Sequence, residues 1–344
     1  MNIGQYIIDI LRNKPDKKYI ELRKVIKYYS KSYNLNNKII NTINNRCRIM
    51  QRSHYDEDVK ALKDYFNTLD ATKLKKAKGE FREHQLRVLE LAKTLIKDIE
   101  EIGLHPMLVG GSLIGAIRHG GFVPWDDDID FDLMQEEFEK LLQYVKDKYI
   151  LCDDSKCVKY YEQLAIIDKT LQDNPNSIIF IKKPTCLSAY KGKSLENCVV
   201  IDFFPRIYIN PAITQAEYAA YREHQSHFLR KSLPYSEKFA YWKKEINDSG
   251  IFCSKSDLTA YGWGNISFKK RNFSIMNIND IFPLENINFE GHIFHTVKNY
   301  RKYLNDFYGD YMKLPIKIKI AEYVTLYNKY LKTKGREFYI TKVI

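Results

Sequence analysis

Cysteine is scarce in this sequence. The chain has six cysteines in 344 residues, and none of them belongs to a CxxC pair. Cys152, Cys157, Cys186 and Cys198 do not follow the spacing of a standard structural zinc site. The sequence therefore argues against a disulfide scaffold or a zinc module, and it predicts ordinary thiols in a reducing, cytoplasmic compartment.

Long apolar runs are also missing. No stretch approaches the roughly 18 apolar residues that are typical of a membrane-spanning helix. The first residues, MNIGQYIIDILRNKPD, are interrupted by Asp9 and lack a small-residue cleavage site, so they do not predict a signal peptide. Any contact with a membrane is therefore expected to be peripheral, at the inner face of the cell membrane.

Acidic residues are outnumbered by basic ones. Lys and Arg total 55 and Asp and Glu total 43, which gives a net charge of +12. This surplus favours an anionic partner such as a nucleotide, a phosphorylated glycan, nucleic acid or an anionic membrane surface. A lysine-rich solvated surface would give the same number. The length allows one large domain with an appendage, or two domains.

A polar, lysine-rich stretch over residues 67–79 is the predicted boundary of the chain. We predict a helical N-terminal segment over residues 1–79 and a catalytic domain over residues 80–344. Within the second part, the patterns predict a helix over 81–102 stopped by Gly103, a strand in PMLVGGS, a helix in LIGAIRH, a strand in DIDFDLM, a helix over 136–148, a strand over 197–209, a helix over 214–245, a hairpin over 286–297 with Glu290-Gly291 at the turn, and a helix that ends near Gly309.

Five aspartates fall within seven positions of the segment DDDIDFD. The alternation in DIDFDLM places Asp128, Asp130 and Asp132 on one face of a predicted strand. Carboxylates at i and i+2 suit a divalent cation bound by oxygen, namely Mg²⁺ or Mn²⁺. Asp202, isolated in the apolar run VVIDFF, is expected to supply a third carboxylate. We predict that Asp128, Asp130 and Asp202 are the catalytic and metal-binding residues, with Asp132 in reserve.

A Gly-Gly-Ser turn stands just upstream of these acids. Glycines let backbone N–H groups approach a phosphate, and the start of a following helix adds its positive dipole end. Gly110, Gly111 and Ser112 are therefore predicted to hold a donor phosphate. Phosphate-holding amides beside metal-holding carboxylates indicate phosphoryl or nucleotidyl transfer.

Three further residues near the turn are candidates for binding the donor. Arg118 could pair with phosphate oxygens through two hydrogen bonds, or it could form a surface ion pair. His119 could act as an acid or base, or it could cap its helix. Trp125 could stack on a base or cation, or it could pack in the core. Asp126 and Asp127 are expected to support the other acids.

The string GGSLIGAIRHGGFVPWDDDIDFDL closely resembles the signature of the LicD family. The helix sequence REHQLRVLELAKTLIKDIEEIG, the strand VVIDFFPRIYI and the block DIFPLENINFEGHIFHTVKNYRKYLNDFYGDYMKLP resemble other parts of that family. The resemblance covers about residues 80 to 316. It implies an α/β (α+β) fold, a polymerase-β-like nucleotidyltransferase core with a short mixed sheet flanked by helices.

The resemblance also implies an activity. Members of the LicD family transfer a phospho-alcohol from a CDP-activated donor to a sugar hydroxyl and release CMP. CDP-choline is the favoured donor, and the acceptor would be a glycan or lipid-linked oligosaccharide of lipopolysaccharide, capsule or teichoic acid. For a choline donor we expect an aromatic cage, with Trp125, Tyr261 and Trp263 as candidates.

Other functions stay open at this point. The same site could transfer phosphoglycerol, phosphoribitol or phosphoethanolamine. A nucleotidyltransferase that acts on nucleic acid or a small molecule would use the same carboxylates, although no nucleic-acid partner is expected because the chain carries no dedicated binding motif. An inactive member could serve as a scaffold in a glycan-assembly complex.

Overall fold

The computed structural model describes residues 17–33, 40–43, 45, 55–261, 275–315 and 321–337. The chain separates into two compact units, one of residues 1–76, 312–319 and 344, the other of residues 77–311 and 320–343. The predicted division at residue 79 stays a prediction. No helix in the described ranges is long and apolar enough to cross a membrane.

Helices and strands alternate through most of the described chain. The helices are α1 (Lys17–Tyr29), α2 (Tyr55–Phe66), α3 (Gly79–Glu101), α4 (Gly110–His119), α5 (Gln135–Lys148), α6 (Tyr160–Asp173), α7 (Gln215–Leu229), α8 (Tyr235–Asp248), α9 (Tyr300–Tyr308) and α10 (Glu322–Lys332). The strands are β1 (Met107–Leu108), β2 (Asp130–Met134), β3 (Ile150–Cys152), β4 (Ile178–Lys182), β5 (Leu187–Lys191), β6 (Val199–Tyr208), β7 (Leu258–Tyr261), β8 (Met276–Asn277), β9 (Glu285–Phe289) and β10 (His292–Thr296).

The smaller unit is built on α1 and α2. Tyr29 of α1 is fully buried, and its ring packs edge-on against Phe66 of α2 at 4.8 Å between ring centres. The Tyr29 hydroxyl donates a hydrogen bond to the carbonyl oxygen of Pro315 (2.8 Å). An aromatic ring with its polar end satisfied is an efficient way to fill a small core.

The larger unit contains a mixed sheet, in which eight of the described strands take part. Its path runs β1-β2-β6-β5-β4-β3, and β7 and β8 extend it from the far end of β6. The pairs β2/β6 and β3/β4 are parallel and the other pairs are antiparallel. The predicted α/β fold is confirmed: helices and a mixed sheet share one unit.

Alternation along the strands gives the sheet two different faces. Phe131 and Phe203 face α3 and α5 in one apolar cluster. Val200 belongs to a second cluster, with residues of α6 and α10. Successive side chains of a strand point to opposite faces, so Asp202 lies on the face of Val200, the same face as α6 and α10.

The structure confirms several predicted elements and corrects others. The hairpin β9–β10 has its turn at Glu290-Gly291, as predicted. Helix α3 ends before Gly103, whose φ of +75° only glycine adopts easily. Ile102, the last residue of the helix predicted over 81–102, is 42 % exposed.

The prediction of one long helix over residues 214–245 is wrong. The structure has two helices there, α7 and α8, and Pro234 is the N-cap of the second. A proline has no N–H to donate, and it disfavours the helical conformation of the residue before it. The helix therefore ends and begins again.

Candidate active site

Strands β2 and β6 bring the three predicted carboxylates together. Asp130 pairs with Asp202 in the parallel ladder, so their side chains lie on the same face of the sheet. Asp128 lies just before β2, not within it as the alternation predicts. Carboxylate oxygens of Asp128, Asp130 and Asp202 nevertheless all lie within 4.8 Å of one another.

The surroundings of these acids disfavour their negative charges. Burial, and after it the charge of Asp130, raises the pKa of Asp128 well above its usual value. Burial, and after it the charge of Asp202, does the same for Asp130. A divalent cation among the oxygens would offset this repulsion. Carboxylate oxygens are also the ligands that Mg²⁺ prefers, so this donor set fits Mg²⁺ or Mn²⁺.

Helix α4 begins at the Gly-Gly-Ser turn, close to the carboxylates. A Cβ atom on Gly110 would lie 3.1 Å from Oδ2 of Asp130, and one on Gly111 would lie 2.7 Å from Oδ2 of Asp126. Gly110 also has a φ of +62°. The turn therefore needs glycine, because a larger residue would collide with the acids. The Gly-Gly-Ser residues form the first turn of α4 and not a loop before it.

Ser112 connects the turn to the acids. Its buried Oγ accepts a hydrogen bond from the backbone N–H of Asp130 (3.1 Å). The start of α4 is thereby tied to the start of β2. The roles of Gly110, Gly111 and Ser112 in holding a phosphate stay predictions.

Arg118, His119 and Trp125 lie near the C-terminal end of α4. The Arg118 side chain is buried, and it donates hydrogen bonds to Nε2 of His119 (2.9 Å) and to the carbonyl oxygen of Tyr311 (2.8 Å). Trp125 is also buried, and its ring centre lies 6.0 Å from the Arg118 guanidinium. The structure thus places these side chains in interior contacts with one another, and their roles toward a donor stay predictions.

The candidate aromatic cage is only partly described. Tyr261 is buried, and its ring lies 4.4 Å from the guanidinium of Arg206, a cation of the protein itself. Trp263, the other candidate, lies outside the described residues.

The remaining acids of the segment have different partners. Oδ2 of Asp127 accepts a hydrogen bond from the backbone N–H of Val324 (2.8 Å), and burial raises the pKa of Asp127 to about 8. Asp126, Asp127 and Asp128 form a second group of acids whose oxygens lie within 4.8 Å of one another. Asp132 forms a fully buried ion pair with Arg206 at 3.2 Å and is not part of the group around Asp202.

Three residues that the sequence reasoning missed surround Asp202. The hydroxyl of Ser188 donates a hydrogen bond to Oδ1, and the hydroxyl of Tyr323 donates one to Oδ2. The ammonium of Lys183 forms an ion pair with Oδ1 at 3.5 Å. Ser188 is the register partner of Asp202 across β5 and β6, so correct pairing of these strands would have found it. Lys183 and Tyr323 carry no comparable sequence signal.

The comparison with protein families matches residues 103–176 to the model described as "LicD/FKTN/FKRP, nucleotidyltransferase domain". Residues 103–176 of the chain are therefore similar to the nucleotidyltransferase domain of that family. The matched range includes the Gly-Gly-Ser turn and both Asp128 and Asp130, whereas Asp202 lies beyond its end. Asp202 stands on β6, the strand that runs parallel to β2.

Two relatives extend this similarity. The chain is 27 % identical to the lipopolysaccharide cholinephosphotransferase LicD of Haemophilus influenzae over 260 residues, which is 68 % of this chain and 92 % of that protein. It is 43 % identical to the human ribitol 5-phosphate transferase FKRP over 53 residues, which is 15 % of this chain and 11 % of that protein.

Proposed function

We propose that this phosphotransferase transfers a phospho-alcohol from a CDP-activated donor to a sugar hydroxyl of a cell-surface glycan, with CMP as the leaving group. The observation that carries the proposal is the meeting of Asp128, Asp130 and Asp202 beside the glycine turn that begins α4. Oxygen ligands and helix-end amides at one place suit a diphosphate with its cation.

The residues of the site would have different roles. Asp128, Asp130 and Asp202 would hold Mg²⁺ or Mn²⁺, and the cation would neutralise phosphate charge during transfer. The N–H groups at the start of α4 would orient the donor phosphate. Ser112 holds the backbone of Asp130, and Ser188 and Tyr323 orient the carboxylate of Asp202. Positioning of this kind supplies much of the catalysis in phosphoryl transfer.

Phosphocholine is the group that we favour. Support comes from the similarity to a lipopolysaccharide cholinephosphotransferase over nearly the whole length of that protein. Phosphoribitol is the second candidate, because the short, more identical match is to a ribitol 5-phosphate transferase. Phosphoglycerol and phosphoethanolamine donors would suit the same carboxylates.

The partners follow from this chemistry. We propose a CDP-alcohol as the donor and a glycan or lipid-linked oligosaccharide as the acceptor, without nucleic acid. The reaction would take place in the cytoplasm, with peripheral contact at the inner face of the membrane where a lipid-linked acceptor is exposed.

The test is a donor screen. Full-length protein is incubated with Mg²⁺, a lipopolysaccharide or capsule acceptor, and CDP-choline, CDP-ribitol or CDP-glycerol in turn. We expect CMP release that depends on both acceptor and Mg²⁺, and that falls by at least about 100-fold in Asp128→Asn and Asp130→Asn, as is typical when a residue that stabilises transition-state charge is lost.

The matched control is Asp173→Asn, which changes an exposed acid at the end of α6 that pairs with Lys169 (2.9 Å), and it should retain wild-type turnover. Full metal-dependent turnover in both site variants would disprove the carboxylate assignment. Pyrophosphate release from a nucleoside triphosphate, with none of the CDP donors used, would favour the nucleotidyltransferase alternative.

A further inference from the structure

Lys183 is a buried cation next to the cluster formed by Asp128, Asp130 and Asp202. It follows β4 directly, its side chain is 10 % exposed, and its Nζ lies 3.5 Å from Oδ1 of Asp202. A carboxylate at this distance stabilises the charged form of a lysine. The site therefore includes a permanent positive charge in addition to its acids.

Tyrosine rings hold this ammonium in place. Nζ of Lys183 lies 5.8 Å from the ring centre of Tyr160, 5.7 Å from that of Tyr190 and 5.2 Å from that of Tyr323. It also donates a hydrogen bond to the hydroxyl of Tyr323 (3.3 Å). Attraction between a cation and ring faces is strongest where water is excluded. Moving the Lys183 ammonium away from Asp202 would therefore cost free energy.

The contacts of Asp202 limit how many cations it can bind. An ionised carboxylate has about four lone-pair positions, two on each oxygen. Oδ1 already faces two donors, the Ser188 hydroxyl and the Lys183 ammonium. Oδ2 accepts from the Tyr323 hydroxyl, which leaves one position for a metal ion. Asp202 can therefore ligate one cation but cannot bridge two.

We propose that Lys183 is a built-in counter-ion of Asp202, which takes the place of a second divalent cation and limits the free enzyme to one metal ion. In two-metal sites a second cation neutralises the charge of the shared carboxylates and of the reacting oxygens. Here the ammonium of Lys183 neutralises carboxylate charge in place of a second cation. The inference rests on the metal site proposed above and extends it to the number of ions.

The experiment is a calorimetric titration of Mn²⁺ into full-length, EDTA-treated protein without donor. The wild type should bind one Mn²⁺ per chain. Lys183→Met should bind two, because Oδ1 regains a lone pair and the site gains one negative charge. Lys183→Gln serves as a second neutral variant, and Lys183→Arg, which keeps the charge, should bind one.

The matched control is Lys182→Met, which removes the same charge one residue earlier. The ammonium of Lys182 lies 4.6 Å from the ring centre of Phe239, and this variant should bind one Mn²⁺. Melting curves with and without Mn²⁺ confirm that each variant is folded. A lysine that only packs would lower the melting temperature equally in both conditions, whereas a counter-ion predicts a larger Mn²⁺-dependent rise in Lys183→Met.

The outcomes separate this inference from the proposed function. Two Mn²⁺ per wild-type chain would overturn it, as would a neutral Lys183 variant that binds Mn²⁺ with wild-type number and affinity. If binding is lost in Asp128→Asn while the neutral Lys183 variants match the wild type, the proposed metal site holds and the counter-ion role fails. If the wild type binds no Mn²⁺, both fail.

Discussion

Asp130 and Asp132 stand two positions apart on β2, but the charged side chains next to them have opposite signs. Asp130 has Asp128 and Asp202 as neighbours, whereas Asp132 faces the guanidinium of Arg206 at 3.2 Å. The Arg206 side chain also lies against the ring of Tyr261. A carboxylate already neutralised by arginine attracts a metal ion weakly, which favours Asp130 over Asp132 as the predicted metal ligand.

This buried ion pair predicts an asymmetric effect on stability. Arg206→Met should lower the free energy of unfolding by about 3–5 kcal/mol, because it leaves the Asp132 charge buried without its cationic partner. Adding Asp132→Asn should recover much of this loss. Urea denaturation of both variants measures the effect. Lys93→Met, which breaks an exposed pair with Glu90, is the control and should change little. A double variant less stable than Arg206→Met would contradict the prediction.

His84 predicts how stability depends on pH. The side chain is buried in α3, its Nε2 lies 3.1 Å from the carbonyl oxygen of Asp127, and burial lowers its pKa to about 4. The unfolded chain, with a histidine pKa of about 6.5, binds the proton more readily. His84 therefore costs stability as the pH falls from about 6.5 to about 4, by up to about 1.4 kcal/mol per pH unit.

Urea denaturation between pH 7 and pH 4 measures this slope. His84→Gln should flatten it, because this variant removes the buried imidazole whose pKa is lowered. An unaltered slope in His84→Gln would mean that other groups cause the loss of stability in acid.

At the scale of elements, α10 completes the site from outside the region of family resemblance. The backbone N–H of Ala321, just before the helix, donates to the carbonyl oxygen of Trp125 (2.8 Å), and that of Val324 donates to Asp127. Tyr323 then reaches Asp202. The helix thus holds both the acidic segment and the third carboxylate in position.

Tyr323→Phe should therefore impair function more than stability. The variant keeps the ring and removes the donor to Asp202, a hydrogen bond to a charged group worth about 1.5 kcal/mol, or roughly tenfold in turnover. Turnover with the preferred CDP donor and urea denaturation measure the two effects. Tyr330→Phe, on the same helix and stacked on Tyr161, is the control and should keep wild-type turnover. Equal loss in both variants would show that the helix acts only through packing.

At the scale of the whole molecule, the net charge of +12 predicts interaction with anionic surfaces. The protein should cosediment with vesicles that contain phosphatidylglycerol at 50 mM salt and be released at 0.5 M salt, because added salt screens charges beyond a few ångströms. Vesicles of phosphatidylcholine alone are the control and should bind none. Retention at 0.5 M salt would indicate apolar insertion instead.

Much of the fold could be read from the chain because it depends on local patterns. Apolar residues at helical spacing predicted α3, strict alternation predicted β2, and the Glu290-Gly291 turn between two β-type runs predicted the β9–β10 hairpin. The failures have local causes: Pro234 interrupts an otherwise helical pattern, and Ile102, at the end of its helix, is 42 % exposed. A periodic pattern of apolar residues does not show where a helix ends.

The sequence by itself determined the acids, the glycine turn beside them and the family to which they point, because these lie in one short segment with a recognisable order. Only the tertiary structure decided which acids meet and what surrounds them. Tyr323 and Asp202 are 121 positions apart, and Arg206 and Asp132 are 74 apart. Contacts over such separations depend on strand pairing and helix packing, so no local pattern predicts that Asp202 has a lysine beside it or that Asp132 has an arginine.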